Sequence, residues 1–527
     1  MSIHGLNHIG SERKGSGSNK FKAFSPEKGE MLPEEFISAT HEEIEETLQL
    51  AEQAFQLYNK KSSIEKAVFL ETIAQEIENL GDELIFRAMA ESGLPEGRIR
   101  GERGRTTGQL HLFARVLRDG QWLEASIDTA IPDRAPLPKP DIRSMRRGVG
   151  PVVVFTASNF PLAFSTAGGD TASALAAGNP VIVKCHEGHP GTNALVSDAI
   201  QNAAKKCNMP NGVFSSLQGT GFELGKTLVM HPATKSVAFT GSHNGGMALW
   251  KMAAEREEPI PVFAEMGSIN PSFILPRYLD NNTQTLAKNM AGSILLGVGQ
   301  FCTNPGLIVI QNSDNSDEFI ETLAQEIEAS APASMLNENV FNQYNQKVGA
   351  ISTHKGLSLL NTTESNEDIK SKGTVATVSA STFIQNQELH EEVFGPFSLI
   401  VTCNDMEEME LVAVSLNGQL TSGLWLENDE HEAARSLFHI MEERVGRIMI
   451  NNVPTGVEVC HSMHHGGPFP ATTDSRFTSV GADAIKRFSR PVCYQNIPES
   501  LLPEELKNGN PLQITRRVNG TVSENAI

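Results

Sequence analysis

The sequence contains no long hydrophobic run and few cysteines. No stretch approaches the roughly 18 uninterrupted apolar residues that a membrane-spanning helix requires. Residues 1–20 also lack the apolar segment of a secretory signal. The six cysteines are scattered and form no CxxC pair, which excludes a four-thiolate zinc site and argues against a disulfide framework. We therefore expect a cytoplasmic protein with no membrane partner, in which a single reactive thiol stays reduced.

Positive charge is also in short supply. The formal net charge is −20 at pH 7, whereas a nucleic-acid partner requires clustered Lys and Arg. We therefore expect no nucleic-acid binding, although backbone amides and one or two lysines suffice for the phosphates of a dinucleotide. At 527 residues the chain exceeds the size at which a single hydrophobic core stops growing, so two or more domains are expected.

Two patterns of apolar residues organise the chain. Residues 41–93 repeat apolar side chains at helical spacing, as in Ile44, Leu48 and Ala51. From Pro151 onwards, short Val- and Ile-rich runs alternate with Ala-rich or amphipathic stretches, which is typical of a parallel sheet covered by helices. The predicted strands are PVVVF, PVIVK, GVFSSL, KSVAFT and IPVFAE in a first group, and GLIVI, FSLIV, SGLWL and RIMIN in a second.

These groups predict an α/β protein with two open, twisted parallel-sheet domains and a small β arm. The stretch before Gly150 is rich in Pro, Asp and Arg, which suits an exposed arm. The predicted boundaries are residues 1–125 with 148–262 for a Rossmann-like dinucleotide-binding domain, 263–470 for a catalytic domain, 126–147 with 471–500 for bridging and oligomerisation segments, and 501–527 for a polar C-terminal tail.

Two glycine-rich turns follow predicted strands. Residues 218–225 (QGTGFELG) come close to the GxGxxG pattern of dinucleotide sites. Their third glycine comes one place late, so an ordinary strand-to-helix turn is an equal alternative. Residues 239–246 (FTGSHNGG) also end a strand and open a helix, where free backbone amides suit a phosphate.

Three residues are candidates for catalytic chemistry. Cys302 lies among small residues in GQFCTNPG, and a nucleophilic cysteine needs access and a nearby base. Glu265 and Asn159 each follow a predicted strand, at the sheet edge where ligands bind. Taken singly, each has a plainer explanation: a buried core cysteine, a solvated loop carboxylate and a helix-capping amide.

Residues 460–465 (CHSMHH) combine residue types that bind metals. The flanking sequence is loop-like and no HExxH pattern is present. We therefore predict no metal centre. A histidine that acts as a base or orders water is expected instead, and a plain structural loop is the alternative.

Together these fragments resemble the aldehyde dehydrogenase family. The resemblance runs from residue 5 (GLNHIGSER) to residue 496 (FSRPVCYQN). The motifs SNFPL, FTGS, AEMGS and GQFCTNPG occur in the family's order and spacing, followed by EEVFGPF at 391–397. The resemblance implies oxidation of an aldehyde to a carboxylate through a thiohemiacetal and a thioester on a cysteine, with a nicotinamide dinucleotide as cofactor.

The resemblance implies a role for each matching residue. Cys302 matches the nucleophile, Asn159 with the backbone N–H of Cys302 matches the oxyanion hole, and Glu265 matches the general base. The matches to cofactor contacts are Lys184 and Glu187 for the adenosine ribose, Gly221 and Gly225 for the adenine slot, Thr240, Gly241, Ser242 and Gly246 for the turn that faces the pyrophosphate, and Glu392 with Phe394 for the nicotinamide ribose and ring.

A narrower resemblance points to the branch that oxidises 2-oxoglutarate semialdehyde (2,5-dioxopentanoate). It rests on GERGRTTGQLHLFA at 101–114, NVPTGVEV at 452–459 and HHGGPFPATTDS at 464–475. A related long-chain aldehyde dehydrogenase has a histidine near its thiol that matches His465, which makes His465 a second candidate base. Arg103 or Arg105 could clamp the far carboxylate of such a substrate. The alternative for both arginines is an ion pair with a neighbouring acid on the same helix face.

Several alternatives stay open at this point. The acid at Glu187 favours NAD because it repels a 2′-phosphate, whereas His186 or His243 could accommodate NADP. A broad or long-chain aldehyde dehydrogenase is the alternative function. An acylating enzyme that passes the thioester to coenzyme A and a catalytically silent binding or structural protein are further alternatives. Residues 126–147 and those near 485–500 are expected to pair between subunits, in a homodimer or homotetramer.

Overall fold

The computed structural model describes residues 3–361 and 369–527. In chain order its strands are β1 (Asn7–Ile9), β2 (Glu12–Lys14), β3 (Lys20–Ser25), β4 (Glu30–Ile37), β5 (Ser126–Asp128), β6 (Ile142–Gly148), β7 (Val152–Phe155), β8 (Val181–Lys184), β9 (Phe214–Leu217), β10 (Ser236–Thr240), β11 (Val262–Glu265), β12 (Ser272–Ile274), β13 (Leu307–Gln311), β14 (Ala333–Ser334), β15 (Leu357–Leu359), β16 (Lys370–Ser371), β17 (Thr374–Ser379), β18 (Phe397–Cys403), β19 (Gln419–Trp425), β20 (Val445–Ile450), β21 (Ser489–Gln495), β22 (Arg516–Val518) and β23 (Thr521–Ser523).

The helices surround these strands. They are α1 (His41–Tyr58), α2 (Ser63–Asn79), α3 (Gly81–Ser92), α4 (Glu96–Asp119), α5 (Gly169–Ala176), α6 (Pro190–Lys206), α7 (Glu223–Met230), α8 (His243–Ala254), α9 (Pro276–Leu295), α10 (Asp314–Glu328), α11 (Glu338–Ser352), α12 (Ala380–Gln385), α13 (Met406–Ser415) and α14 (Arg435–Arg444). None of the helices in the two described ranges combines the length and apolar character that crossing a bilayer requires.

The first sheet contains all five strands predicted for the first group. Its order is β11-β10-β7-β8-β9-β1-β2, and the first five strands are parallel. The Val and Ile runs are buried because helices cover both faces of this sheet. The antiparallel strands β1 and β2 extend its far edge and were not predicted.

The helical stretch predicted for residues 41–93 is three helices. α1 and α2 each begin with a capping box, formed by Thr40 with Glu43 and by Ser62 with Glu65. These caps interrupt the helical repeat, so one long apolar pattern becomes separate segments: α1 packs on the first sheet, and α2 packs on α4 and α6.

The second sheet contains the four strands predicted for the second group. Its order is β15-β17-β18-β13-β12-β19-β20, and only β15 at its edge is antiparallel to its neighbour. The three-residue strand β12 lies in the middle of the sheet and was missed, because so short a strand shows no periodicity. The two parallel sheets agree with the predicted α/β architecture.

A third sheet corrects the prediction of a polar C-terminal tail at residues 501–527. Its order is β21-β6-β5-β22-β23, so the arm strands β5 and β6 join both β21 and the C-terminal segment. Arg516 of β22 is only 1% exposed and donates hydrogen bonds to the backbone oxygens of Lys507 and Asn525. The segment is polar in sequence yet packed, because backbone oxygens accept hydrogen bonds from both terminal nitrogens of Arg516.

A buried carboxylate holds the N-terminus of α6, next to the end of β8. Glu91 accepts hydrogen bonds from the backbone N–H groups of Gly191 and Thr192 at 2.7 and 2.8 Å, and from the Thr192 hydroxyl at 2.7 Å. Arg87 lies 2.9 Å from the same carboxylate, whose side chain is fully buried. Three otherwise unpaired donors at the start of α6 are thereby satisfied.

Replacement of Glu91 is expected to destabilise the first α/β unit. Glu91→Ala leaves the α6 amides buried without their acceptor and removes one of the two carboxylates that pair with Arg87, the other being Glu34. The expected loss is about 3 kcal/mol, which corresponds to a fall in Tm of about 6–12 °C for a domain of this size. Differential scanning fluorimetry measures the change. Glu52→Ala on the exposed face of α1 is the control and should leave Tm unchanged. An unshifted Tm in Glu91→Ala would contradict this role.

Candidate active site

The carboxyl edge of the first sheet gathers four of the predicted site residues. Asn159 follows β7, Lys184 ends β8, Ser242 follows β10 and Glu265 ends β11. Parallel strands end at a common edge, so residues far apart in sequence reach one crevice there.

Cys302 reaches this crevice on a constrained turn after α9. The turn passes through Gly297, Val298 and Gly299, all with φ between 57° and 64°. A Cβ on Gly299 would lie 2.2 Å from the Gly395 carbonyl oxygen, so only glycine fits there. Val298 is a β-branched residue in the left-handed region, an unfavourable conformation, and its side chain packs against the core of the second sheet. Cys302 itself is partly exposed.

The thiol of Cys302 lies beside a buried histidine and a buried carboxylate. Its Sγ is 3.6 Å from His465 Nε2, and His465 Nε2 is 2.9 Å from Glu265 Oε1. The Ser479 hydroxyl donates to Glu265 Oε2. The side chains of His465 and Glu265 are 0% and 3% exposed. Both histidine and carboxylate are therefore held within reach of the thiol.

Burial and charge set the protonation of this cluster. Burial raises the pKa of the Cys302 thiol well above its ordinary value, and the Glu265 charge adds to this, while Arg105 acts in the opposite direction. Burial also acts to raise the pKa of Glu265, but its contacts with His465 and Ser479 outweigh that effect and hold the pKa below its ordinary value. The resting pair is thus a thiol and a carboxylate.

Amide side chains hold the turn around Cys302. Asn159 Nδ2 donates to the Gln300 carbonyl oxygen at 3.0 Å, so its side chain lies against the nucleophile's turn. The fully buried Asn270 donates to the carbonyl oxygens of Cys302 and Asn304, both at 2.8 Å. Sequence reasoning missed Asn270, although it follows Glu265 closely in the same EMGSINP stretch.

The two candidate arginines of α4 differ in their surroundings. Arg103 lies 3.1 Å from Glu78 and donates to the Gly81 carbonyl oxygen, so it forms an ion pair, although with an acid of the neighbouring helix α2 and not of its own helix face. Arg105 lies over the ring of Phe164, and its Nε and Nη2 atoms are buried without a hydrogen-bond partner among the described residues. Burial lowers the pKa of Arg105, and the nearby negative charges of Cys302 and Glu265 oppose that shift. Of the two, Arg105 is the one directed toward the thiol.

Two further arginines near Cys302 were not predicted. The Arg98 guanidinium lies 4.3 Å from the ring centres of both Phe160 and Phe301. Arg447 donates to the carbonyl oxygens of Pro454 and Gly456. Burial lowers the pKa of each arginine, and the charge of a Cys302 thiolate opposes that shift in both. Arg98 precedes Arg105 by seven residues, so helical spacing could have placed both on one face of α4.

The predicted adenosine residues lie at the ends of β8 and β9. Lys184 is partly buried, and burial lowers its pKa while the nearby Glu187 charge opposes that shift. Glu187 is exposed. Burial holds the pKa of His186 well below its ordinary value, so this ring is neutral at physiological pH. An acidic rather than a basic group therefore stands beside Lys184.

The glycines of the two turns leave room that side chains would fill. Gly221 has a φ of 75°, and a Cβ on Gly225 would meet the Phe155 ring at 2.9 Å. A Cβ on Gly246 would meet Met266 Sδ at 2.7 Å. Ser242 caps α8 by accepting from the Gly245 N–H, and Thr240 and Gly241 lead into this cap. The α8 N-terminus and its turn can accept a phosphate, and these residues fit a dinucleotide.

Glu392 and Phe394 line a small pocket with Phe301 and Ser268 on the other side of the crevice. A Cβ on Gly267 would lie 2.3 Å from Glu392 Oε2, so the carboxylate rests against the turn that follows Glu265. Burial raises the pKa of Glu392 to about 7. The Glu392 charge is one of the groups that raise the pKa of the Cys302 thiol.

Only one residue of the CHSMHH stretch reaches the thiol. His465 contacts Cys302, whereas His461 is exposed. His464 lies beside Gly466 rather than in the cluster. All six cysteines are free. Cys302, His465 and Glu265 nevertheless place one ligand atom each within 4.8 Å of one another.

The chain is similar to known proteins over almost its whole length. Residues 13–487 match the model of the aldehyde dehydrogenase family. The chain is 49% identical over 523 residues to "Alpha-ketoglutaric semialdehyde dehydrogenase 2" of Azospirillum brasilense, covering 99% of each chain. It is 44% identical to "Alpha-ketoglutaric semialdehyde dehydrogenase" of Acinetobacter baylyi, covering 93% of each.

Solved structures share the fold. The 1-pyrroline-5-carboxylate dehydrogenase from Thermus with bound NAD superposes with a TM-score of 0.79 at 21% identity, over 94% of this chain and 93% of that one. Betaine aldehyde dehydrogenase from Staphylococcus aureus gives 0.81 at 19% identity, over 94% and 97%. The chain therefore belongs to the aldehyde dehydrogenase family and is an oxidoreductase that oxidises an aldehyde with a nicotinamide cofactor.

Proposed function

We propose that this enzyme oxidises 2-oxoglutarate semialdehyde to 2-oxoglutarate through a thioester on Cys302. The observation that supports this most directly is the buried Arg105, whose Nε and Nη2 have no hydrogen-bond partner in the described part of the chain. Arg105 also lies close enough to Cys302 for the two charges to interact. A substrate carboxylate would satisfy both atoms. The names of the two relatives at 49% and 44% identity support the same substrate.

The first step is attack of the Cys302 sulfur on the aldehyde carbon. Because burial disfavours the thiolate, a base must take the thiol proton, and His465 Nε2 at 3.6 Å is placed to do so. Glu265 Oε1 lies 2.9 Å from the same Nε2, so its negative charge would stabilise the imidazolium that forms. The carbonyl oxygen becomes an oxyanion, for which the second N–H of Asn159 and the backbone N–H of Cys302 are the donors.

The second step is oxidation, followed by hydrolysis. Glu392 with Phe394 would hold the ribose and ring of a nicotinamide, which would supply the hydride acceptor that oxidation of the thiohemiacetal carbon needs. Water then attacks the thioester carbon and the C–S bond breaks. We assign removal of the water proton to the Glu265–His465 pair, because both oxygens of Glu265 are already engaged by His465 and Ser479.

Two substitutions separate nucleophile from base. Cys302→Ala should lower aldehyde oxidation to below about one-thousandth, with the NAD dissociation constant near its original value. Glu265→Gln should slow thioester hydrolysis by about 10²–10⁴-fold, which appears as a burst of reduced cofactor followed by slow turnover. Stopped-flow absorbance measures both. The exposed Glu257→Gln is the matched control. Retained turnover in Cys302→Ala would refute the nucleophile, and loss of the burst in Glu265→Gln would show that the contact of Glu265 with His465 matters more for thiol activation than for hydrolysis.

Substrate recognition is tested at Arg105. Arg105→Met should lower kcat/KM for 2-oxoglutarate semialdehyde by about 30-fold or more, since losing one partner of a buried charged pair costs about 2–5 kcal/mol. Turnover of hexanal, which has no carboxylate, should fall less, since it loses only the effect of the Arg105 charge on the Cys302 thiol. Arg103→Met, two residues away in an ion pair with Glu78, is the control. Equal losses for both aldehydes would remove Arg105 from recognition, and a wild-type enzyme that prefers hexanal would favour the long-chain alternative.

We propose NAD rather than NADP as the preferred cofactor. Glu187 stands exposed beside Lys184, and an acid at this place suits a free 2′-hydroxyl. His186 offers no positive charge for a 2′-phosphate because its pKa is held low by burial. The exposed His243 at the start of α8 keeps NADP as the alternative.

The cofactor preference is tested by removing the acid. Glu187→Ser should raise kcat/KM for NADP relative to NAD by about tenfold, which is 1.4 kcal/mol. Initial rates with each cofactor at saturating aldehyde measure the ratio, and the exposed Glu223→Ser on α7 serves as control. A ratio that does not move would mean that Glu187 does not face the ribose, and a wild-type preference for NADP would overturn the assignment.

We also propose that the enzyme is a cytoplasmic homodimer or homotetramer. The support is β21, which is the edge strand of the third sheet and has mostly exposed residues. Its unpaired backbone groups offer a place for a second subunit to pair. Six free cysteines suit a reducing compartment.

A further inference from the structure

We propose that Cys302, His465 and Glu265 form a binding site for a thiophilic divalent cation, Zn²⁺ above all, which blocks the enzyme reversibly. The ion is no part of the proposed reaction. It competes for the same sulfur that the aldehyde must reach, so the site has a second use as an inhibitory metal site.

The spacing of the three ligand atoms fits a tetrahedral ion. With zinc bonds of about 2.3 Å to sulfur, 2.05 Å to nitrogen and 2.1 Å to oxygen, tetrahedral angles separate S and N by about 3.6 Å and N and O by about 3.4 Å. Cys302 Sγ and His465 Nε2 are 3.6 Å apart, and His465 Nε2 and Glu265 Oε1 are 2.9 Å apart. All three atoms lie within 4.8 Å of one another. The carboxylate need retreat by only about half an ångström.

The chemistry of the donors selects the class of ion. A thiolate, an imidazole and a carboxylate suit Zn²⁺ and Co²⁺, whereas Mg²⁺ and Ca²⁺ prefer oxygen ligands alone. Binding replaces the thiol proton of Cys302, which leaves to solvent, so a Zn–S bond forms as an S–H bond breaks. The two negative charges of the thiolate and Glu265 then balance the ion.

The position of Cys302 leaves the ion accessible. His465 and Glu265 are buried behind the thiol, but Cys302 is partly exposed to the crevice. A water or a buffer anion can take the fourth position, as in zinc sites that keep an open place. His465 Nδ1 is buried without an acceptor among the residues described, and the missing second-shell partner weakens binding by about 10–100-fold. The ion is therefore held reversibly.

A second cluster of similar composition supplies the contrast. His4, His8 and Asp198 also place ligand atoms within 4.8 Å. However, Arg13 lies 2.5 Å from Asp198 Oδ1, and His4 Nδ1 accepts from the Leu6 N–H, so His4 Nε2 carries a proton. The Arg13 guanidinium occupies Asp198 Oδ1, and the proton on His4 Nε2 blocks its lone pair. We therefore do not propose a metal site at this cluster.

Metal uptake by the full-length enzyme tests the proposal. Co²⁺ should bind one per chain and give a thiolate-to-cobalt charge-transfer band in the near ultraviolet. Zn²⁺ should displace it, inhibit competitively with aldehyde, and be reversed by EDTA. His465→Phe and Glu265→Gln should each raise the Zn²⁺ dissociation constant at least tenfold in competition with a chromophoric chelator. Cys302→Ala should lose the band, and His4→Gln should change nothing.

Several results would overturn the site. An unchanged zinc dissociation constant in both His465→Phe and Glu265→Gln would show a lone thiol in place of three ligands. Wild-type protein that takes up no Co²⁺ at stoichiometric concentration, or a lost site in His4→Gln, would also reject it. Metal binding is measured without substrate. A failure of the semialdehyde assignment would therefore leave the metal site standing, and a failure to bind metal would leave the semialdehyde assignment standing.

Discussion

A single buried carboxylate fixes the distances on which the active site depends. Glu265 ends β11 of the first sheet, yet its oxygens meet His465 and Ser479 from the segment that follows the second sheet. Backbone pairing with Thr472 ties the same segment to β11. A charge buried to this degree is unfavourable unless it is fully contacted, so the segment has to close on Glu265. The histidine reaches Cys302 because the carboxylate holds it there.

Much of the fold could be predicted because buried parallel strands have a strong signature. Runs such as PVVVF and GLIVI are apolar throughout, since both of their faces are covered. The short strand β12 and the C-terminal strands β22 and β23 lack that signature. Arg516 shows why: its burial depends on carbonyl oxygens that only the folded chain brings together. Composition alone therefore suggested a tail.

Site residues that belong to a sequence motif could be predicted, whereas residues whose role depends only on the folded geometry could not. Glu265 and Asn159 stand in short motifs at strand ends and Cys302 in one that follows α9, and the fold brings them to one crevice. The difference between Arg103 and Arg105 depends on which way α4 faces, and two residues along a helix turn a side chain to nearly the opposite side. The role of Asn270 could not be predicted because it donates hydrogen bonds to backbone carbonyl oxygens, and every residue has such an oxygen.

The turn before the nucleophile carries a consequence for how the sulfur is aimed. Val298 keeps an unfavourable backbone conformation while its side chain packs into the interior of the second sheet. Glycine would relax the backbone but would leave that interior underfilled. Packing of Val298 against the core thus fixes the backbone just before Cys302. The direction in which the thiol points is consequently a property of the folded catalytic unit and is settled before any ligand arrives.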